Sequence, residues 1–421
     1  MPFALFFGIC AINNAKAKTD SFIVCDHTTM RIAFVIPYFY PALEYGGAPR
    51  MAYEMARSLS RRGHQVTVFT TDSGGVRRIT REAIEKIRDN GLEGISVRFY
   101  KNLSNALAYR HRLFFPIHFF REVASAMAGT EVVHVHDLRS LLSVATHRAT
   151  GGLGIPYVIS PHGGLPRLGK QSAKLVFDML WGKAILRDAA ALCAVSPLEE
   201  HDAEVAGIES GRIHLFPPAI SADDYKNLPP PGKFASQWGL EGRKIALFLG
   251  RLHWIKGADI LIEATSLLPD VTDFHLVIAG PDDGEKNRLK SLVIAKGLQH
   301  KVTFTGILDG TDKLSAVIDS EIVVVPSRRE GFPLAVLEAL ASQTPVILTS
   351  ACDLGDSMKE QPALTRFRSG DAHDLAKKIE AALYQPPPSQ AMLEGRDFIL
   401  NNFSSDALAK RAERLYKSLI S

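Results

Sequence analysis

From Met30 onward, short apolar runs rich in β-branched residues alternate with longer stretches in which apolar residues recur every three or four positions. That rhythm predicts βαβ units and a parallel sheet. In the first half it predicts strands over 31–36, 66–70, 97–100, 132–136, 157–160, 191–195 and 213–216. A helix over 49–62, stopped by Gly63, is predicted between the first two. The rhythm breaks at Pro217-Pro218 and again at Pro229-Pro230-Pro231-Gly232, the densest group of breakers in the central chain. It then restarts, with strands over 244–249, 275–279, 302–305, 322–325 and 345–348. A second break at Pro386-Pro387-Pro388 leads into a helical tail, its last helix over 405–419.

The resulting division is an extension over 1–29, an N-terminal domain over 30–217, a C-terminal domain over 218–398, and a closing helical segment over 399–421 that returns to the first domain. The fold class is α/β: two Rossmann-like domains facing each other. In open sheets of this kind ligands bind beyond the carboxyl ends of the strands, so functional residues are expected just after strands.

Composition changes this picture little. A chain of 421 residues, 46% hydrophobic and 22% charged, is ample for two separate cores. A formal charge of +4 does not call for a nucleic acid. None of the four cysteines forms a C-x-x-C pair, and Cys193 lies in an apolar run where a buried, reduced thiol is expected. The apolar stretch at 3–12 has no basic residue before it, unlike a secretory leader, and is too short to span a bilayer. Met30, followed at once by a strand, reads as the start, or 1–29 as a loose extension.

Chemistry gathers behind the predicted strands. Glu330 and Glu338 bracket Gly331-Phe332-Pro333-Leu334 where a strand gives way to a helix. Gly331 lets a ligand approach the backbone, Pro333 suits the first helical position, and the amides near 332–335 would offer an anion the positive end of the helix. Glu330 is placed to accept from sugar hydroxyls and Glu338 from a ribose; two glutamates this far apart also occur by chance on solvated surfaces. Arg251 and Lys256, in the loop after residue 249, suit a phosphate, or else an ordinary basic loop. Gly46-Gly47 precedes a helix but is no G-x-G-x-x-G fingerprint, which removes the main support for a nicotinamide cofactor. His162, between Pro161 and Gly163-Gly164, can donate to a sugar hydroxyl. His134-Val135-His136-Asp137 looks like a metal cluster, yet no third and fourth ligand has suitable spacing. The stretch 109–121 mixes Arg110, His111, Arg112 and Arg121 with four phenylalanines; it suits an anionic membrane surface or a core-facing helix with basic ends, and Pro116 interrupts it.

Together these motifs resemble glycosyltransferase family 4, retaining enzymes of the GT-B fold. The likeness spans nearly the whole chain from Met30: Pro41 with Gly46-Gly47, the run 59–68, His134-x-His136, Ser196-Pro197, Gly250-Arg251 through Lys256-Gly257, Ala279-Gly280, and Glu330 to Glu338. The resemblance implies that Arg251 and Lys256 hold a donor diphosphate, that Glu330 faces the transferred sugar and Glu338 the ribose, and that His162 lies at the reaction centre. Gly46-Gly47 would sit near the diphosphate and acceptor. It further implies a nucleotide sugar as substrate, a glycan or lipid-linked acceptor, no metal or other cofactor, and no nucleic-acid partner. Pro161-His162-Gly163-Gly164-Leu165 looks most like members that build bacterial exopolysaccharide or lipopolysaccharide; the cysteine usage fits a reducing cytoplasm, and the stretch 109–121 a peripheral contact with the inner membrane. One departure stands out: the family's Pro-Asn-Gly turn into the second domain is replaced by Pro217-Pro218-Ala219. Three readings compete: a sugar-nucleotide epimerase of the same fold, a glycogen- or sucrose-type metabolic glycosyltransferase, and a binding protein with a decayed site.

Overall fold

The computed structural model describes residues 29–421 apart from 43–44, 167–170, 270–272, 309 and 359–360, and the side chain of 357. The extension before residue 29 lies outside the described residues. Among the described residues, thirteen strands form two wholly parallel sheets. The first contains β1 (Arg31–Val35), β2 (Gln65–Thr71), β3 (Ser96–Tyr100), β4 (Val132–His136), β5 (Tyr157–Ser160), β6 (Ala191–Ala194) and β7 (Ile213–Leu215). Its spatial order is β3-β2-β1-β4-β5-β6-β7. The second contains β8 (Lys244–Leu249), β9 (Phe274–Ala279), β10 (Val302–Gly306), β11 (Ile322–Val325), β12 (Val346–Thr349) and β13 (Leu364–Phe367), in the order β10-β9-β8-β11-β12-β13. β4, β9 and β11 are buried along their whole length, as strands of a parallel sheet covered on both faces must be.

Strand order reverses between β1 and β4 in one sheet and between β8 and β11 in the other. Each reversal opens a crevice where the flanking connections leave on opposite faces. Every site residue expected from the sequence lies after one of these four strands, except His162, which follows the neighbouring β5.

The chain passes between the two halves along paired tracks. Ile220 donates its N–H to the Phe403 carbonyl at 3.0 Å and accepts from the Ser405 N–H at 2.8 Å, so the outgoing and returning segments run side by side. Ala219 and Ile220 are buried there. The last helix, Ser405–Ile420, starts with the Ser404 hydroxyl accepting from the Ala407 N–H. It buries Leu408, Ala409, Ala412, Leu415 and Tyr416 on the first half, the spacing of one helical stripe. Glu413 fastens it there: one carboxylate oxygen takes Arg62 at 2.6 Å, the other meets His64 at 2.9 Å.

Three local expectations differ from the structure. β13 was not anticipated. The basic and aromatic stretch 109–121 forms two short helices, Asn105–His111 and Phe119–Ala126, separated by Arg112 in a left-handed conformation. Phe114 and Phe119 enter the core, whereas Phe115 and Phe120 stay exposed. Pro333 caps the helix Leu334–Ala341 from outside it, with extended ψ of 125°, because its carbonyl is engaged by the Val336 N–H at 3.1 Å.

Candidate functional site

On the side of the second sheet, the loops leaving β8, β9 and β11 nest closely. A Cβ on Gly280 would collide with the Gly250 carbonyl, and one on Gly257 with the Pro326 carbonyl. Both glycines also hold positive φ, 150° and 69°. This nesting brings Lys256 onto Glu330, which pair directly, with the Ser327 hydroxyl on the same carboxylate oxygen at 3.2 Å. Arg251 pairs with Asp283. Glu338, eight residues along and almost fully buried, receives Lys313 at 2.5 Å and Arg50 at 3.0 Å.

On the side of the first sheet, His134 and His136 project from one face of β4, their rings stacked 4.1 Å apart. His134 Nδ1 meets the Tyr416 hydroxyl at 2.5 Å and its Nε2 the Ser160 hydroxyl at 2.8 Å. His136 Nδ1 meets Nε2 of His162 at 3.0 Å, with rings parallel within 10°. The pair expected to look like metal ligands is thus built into a column running from the last helix to His162. Burial pulls His162 down to about 4 and His134 to about 3, so both are neutral imidazoles at neutral pH. The strand ends at His136; Asp137 turns away with φ of 130° rather than continuing the alternation.

The His162 loop is clamped on both flanks. The Gly163 N–H donates to Glu199 at 2.5 Å, and the other oxygen of that carboxylate takes the Val195 N–H at 2.8 Å. Burial raises Glu199 to about 7 against these two amides, which favour the ionised form. On the other flank Arg139 donates to the carbonyls of Gly164 and Leu165. Its guanidinium is itself gripped by both oxygens of Asp178, each at 2.8 Å. Asp178 opens a π-helical turn, Asp178–Gly182, whose wider backbone presents the carboxylate inward.

The halves meet at the expected glycines. A Cβ at Gly46 would lie 3.7 Å from Nε of Arg251, one at Gly47 3.4 Å from Leu334, and one at Gly331 3.0 Å from the Ser196 hydroxyl. Gly46, Gly47, Arg251, Gly331 and Leu334 therefore line one seam, and Phe332 is buried beneath it. Arg50 to Glu338 and Arg329 to Asp202, at 2.7 Å, tie the seam across.

Sequence reasoning missed Arg50, Lys313, Arg139, Asp178 and Glu199. The first four carry no local signal, since their partners lie 25 to 288 residues away. Ser196-x-x-Glu199 does have the spacing of a capping box, and the Ser196 hydroxyl accepts from the Glu199 N–H at 3.2 Å. Glu199 departs from that motif by reaching to Gly163 and Val195.

Comparison with known proteins fits this architecture. Residues 45–224 match the family model described as Glycosyltransferase Family 4, and residues 233–396 the one described as Glycosyl transferases group 1. An uncharacterized glycosyltransferase of Methanocaldococcus jannaschii is 25% identical over 92% of this chain and 98% of its own length. A lipopolysaccharide core biosynthesis mannosyltransferase of Rhizobium leguminosarum bv. viciae is 30% identical over 49% of this chain and 58% of its own. Among solved structures, Anabaena HepE in complex with UDP superposes with a TM-score of 0.74 at 17% identity, covering 92% of this chain and all of that one. At that identity the likeness speaks for the two-domain fold.

Proposed function

Since the chain belongs to glycosyltransferase family 4, we propose that it moves a hexosyl group, with retention, from a nucleoside-diphosphate sugar to a glycan or lipid-linked acceptor in exopolysaccharide or lipopolysaccharide synthesis. The observation that carries this reading is the seam where Gly46 meets Arg251 and Gly47 meets Leu334, beside the paired Lys256 and Glu330. A diphosphate seated there would exchange the carboxylate partners of Arg251 and Lys256 for its own oxygens, with the amides at the start of the helix Leu334–Ala341 completing the charge. That arrangement meets the leaving group's charge with protein groups, and activity is expected to survive EDTA. HepE has been crystallised with UDP-glucose, which supports a donor of this chemical class.

The chemical step follows from what stands beside the sugar. Glu338 is held by Arg50 and Lys313 and is assigned to the ribose, so it is not free to join Glu330 in a double displacement. We therefore infer attack on the same face as departure. The bond from the anomeric carbon to the phosphate oxygen breaks, the bond to the acceptor oxygen forms, and the acceptor's proton passes to the departing diphosphate. His162, neutral and held by His136 through Nε2, keeps Nδ1 for a sugar hydroxyl.

The exposed side chains of Leu103, Leu113, Phe115, Ile117 and Phe120, interspersed with Arg110 and Arg121, support a peripheral seat on an anionic membrane face from the cytoplasm. Among the described residues no helix is long and apolar enough to cross a membrane.

The deciding measurement is proton NMR of the product's anomeric signal, with donor turnover followed with and without acceptor. Retained configuration, and turnover that needs an acceptor, are expected. An inverted product, or a changed nucleotide sugar released without acceptor, would overturn the reading in favour of another mechanism or an epimerase.

A further inference from the structure

The crevice between β1 and β4 carries a second constellation that donor binding does not use. Tyr38, just after β1, stacks on Tyr45 with ring centroids 4.3 Å apart and planes within 14°. Arg112 lies over both, its guanidinium 4.6 Å from the Tyr45 centroid and 5.6 Å from that of Tyr38. Phe114 and Tyr109 brace the pair from behind, at 5.5 to 6.2 Å. The left-handed turn at Arg112, φ 56°, swings this side chain back over the rings. Arg112 makes no ion pair among the described residues and is exposed, so cation–π contact fixes its position while the edge of its planar fork stays open.

The constellation borders the reaction centre. Tyr45 adjoins Gly46, where a Cβ would lie 3.7 Å from Nε of Arg251. The Tyr38 phenol is raised to about 12, chiefly by burial and then by the charge of Asp137, with Arg112 and Arg251 pulling the other way. All three charges therefore act on one hydroxyl, from both sides of the seam. Asp137 itself is lifted to about 6 by burial, opposed by the Arg139 amide and the charges of Arg139 and Arg112, and is ionised at neutral pH.

We propose that Arg112, Tyr38, Tyr45 and Asp137 form the acceptor subsite, and that the acceptor carries a phosphate. The fork of Arg112 takes two phosphate oxygens, for which the stacked tyrosines have already fixed its orientation. Asp137 and Tyr38 receive hydroxyls of the acceptor on the side facing Arg251. Phosphate is favoured because Arg112 sits where the crevice opens onto the exposed Leu113, Phe115 and Ile117, a surface that suits the apolar part of a phosphate-bearing lipid. A soluble sugar phosphate would present the same group. This rests on the glycosyltransferase reading above.

The test uses the full chain saturated with whichever of UDP, GDP or ADP binds in calorimetry. Glycerol phosphate and glycerol are then titrated, and sedimentation with phosphatidic acid vesicles is compared with phosphatidylcholine vesicles. Wild type is expected to bind glycerol phosphate and not glycerol. Arg112→Gln should weaken phosphate binding about tenfold or more, the loss of one charge-assisted contact, and leave nucleotide affinity unchanged. Arg110→Gln, two residues away, should bind as wild type, and Arg112→Lys should recover part of the affinity. A loss confined to vesicles identifies a lipid phosphate, and one confined to glycerol phosphate a soluble one. Equal binding by Arg112→Gln and wild type in both arms overturns the subsite. Failure of wild type to bind any nucleotide would instead sink the glycosyltransferase reading beneath it.

Discussion

On the rim built by the second sheet, charged groups face charged groups: Lys256 and Glu330, Arg251 and Asp283, Lys313 and Glu338, with Arg50 reaching Glu338 from the first half. On the rim built by the first sheet, a column of ionisable groups is buried and held uncharged: His134, His136 and His162, with pKa values driven far down by desolvation. The two rims suit different tasks. Paired charges at the seam can trade partners with an anionic ligand, because each cation exchanges one oxygen neighbour for another. Neutral rings fixed by packing and hydrogen bonds have no counter-ion to shed and hold a sugar by direction rather than by charge. Binding energy for a donor is thus expected from the charged rim, and orientation from the neutral one.

The sharpest way to break that division is Glu330→Gln. Turnover is expected to fall by about a hundredfold or more while donor affinity changes far less, since preorganised polar contacts matter most as charge develops. Steady-state kinetics beside calorimetry give both numbers; equal losses in the two would make Glu330 a binding residue only. Next in size are Arg251→Ala and Lys256→Ala, each expected to cost donor binding on the order of 2 kcal/mol with the unfolding midpoint held. Normal donor binding by both variants would remove the charged rim from the site.

The neutral rim predicts acid lability. The unfolded chain's histidines take up protons near 6.5, while His134 and His162 stay neutral in the fold down to about 3 and 4. Stability present above pH 6.5 is therefore lost as pH falls toward 4. Glu199 works the other way: raised to about 7, it keeps its proton in the fold and adds stability as pH drops from 7 toward its ordinary 4.5. Asp137, raised to about 6, opposes the histidines in the same way, and three histidines against two carboxylates leave a net loss. Urea midpoints at pH 7.5 and pH 5 should show it, and His162→Asn should make the slope shallower. The smallest effect is expected at Arg329, a partly exposed pairing with Asp202: Arg329→Ala should change stability by about 1 kcal/mol or less by denaturant unfolding.

How far the sequence could be read depended on whether a signal was local. Twelve of thirteen strands were legible, most of them as short runs of apolar and β-branched residues. β13, Leu-Thr-Arg-Phe at the sheet edge, interrupts its run with Thr365 and Arg366 and buries only its last residue. The positions Gly46, Arg251, Lys256, Glu330 and Glu338 stood out because each follows a strand. What holds them did not: Arg50 reaches Glu338 across 288 residues, and His134 reaches Tyr416 across 282. The predicted end of the strand at His136 holds, but nothing local announced that Asp137 would turn to positive φ one position after the ladder ends.

The pairing of Tyr416 with His134 also sets the order in which the chain can be made. Synthesis proceeds from the amino end, and early domains ordinarily fold before later ones emerge. Here the first half lacks a wall of its own core, Leu408 through Tyr416, until the whole second half has been made. The N-terminal half is made with that face of its core uncovered, and the histidine column closes only once Tyr416 has emerged. A message cut short before residue 405 would yield every strand of both sheets and still leave that column without its foundation.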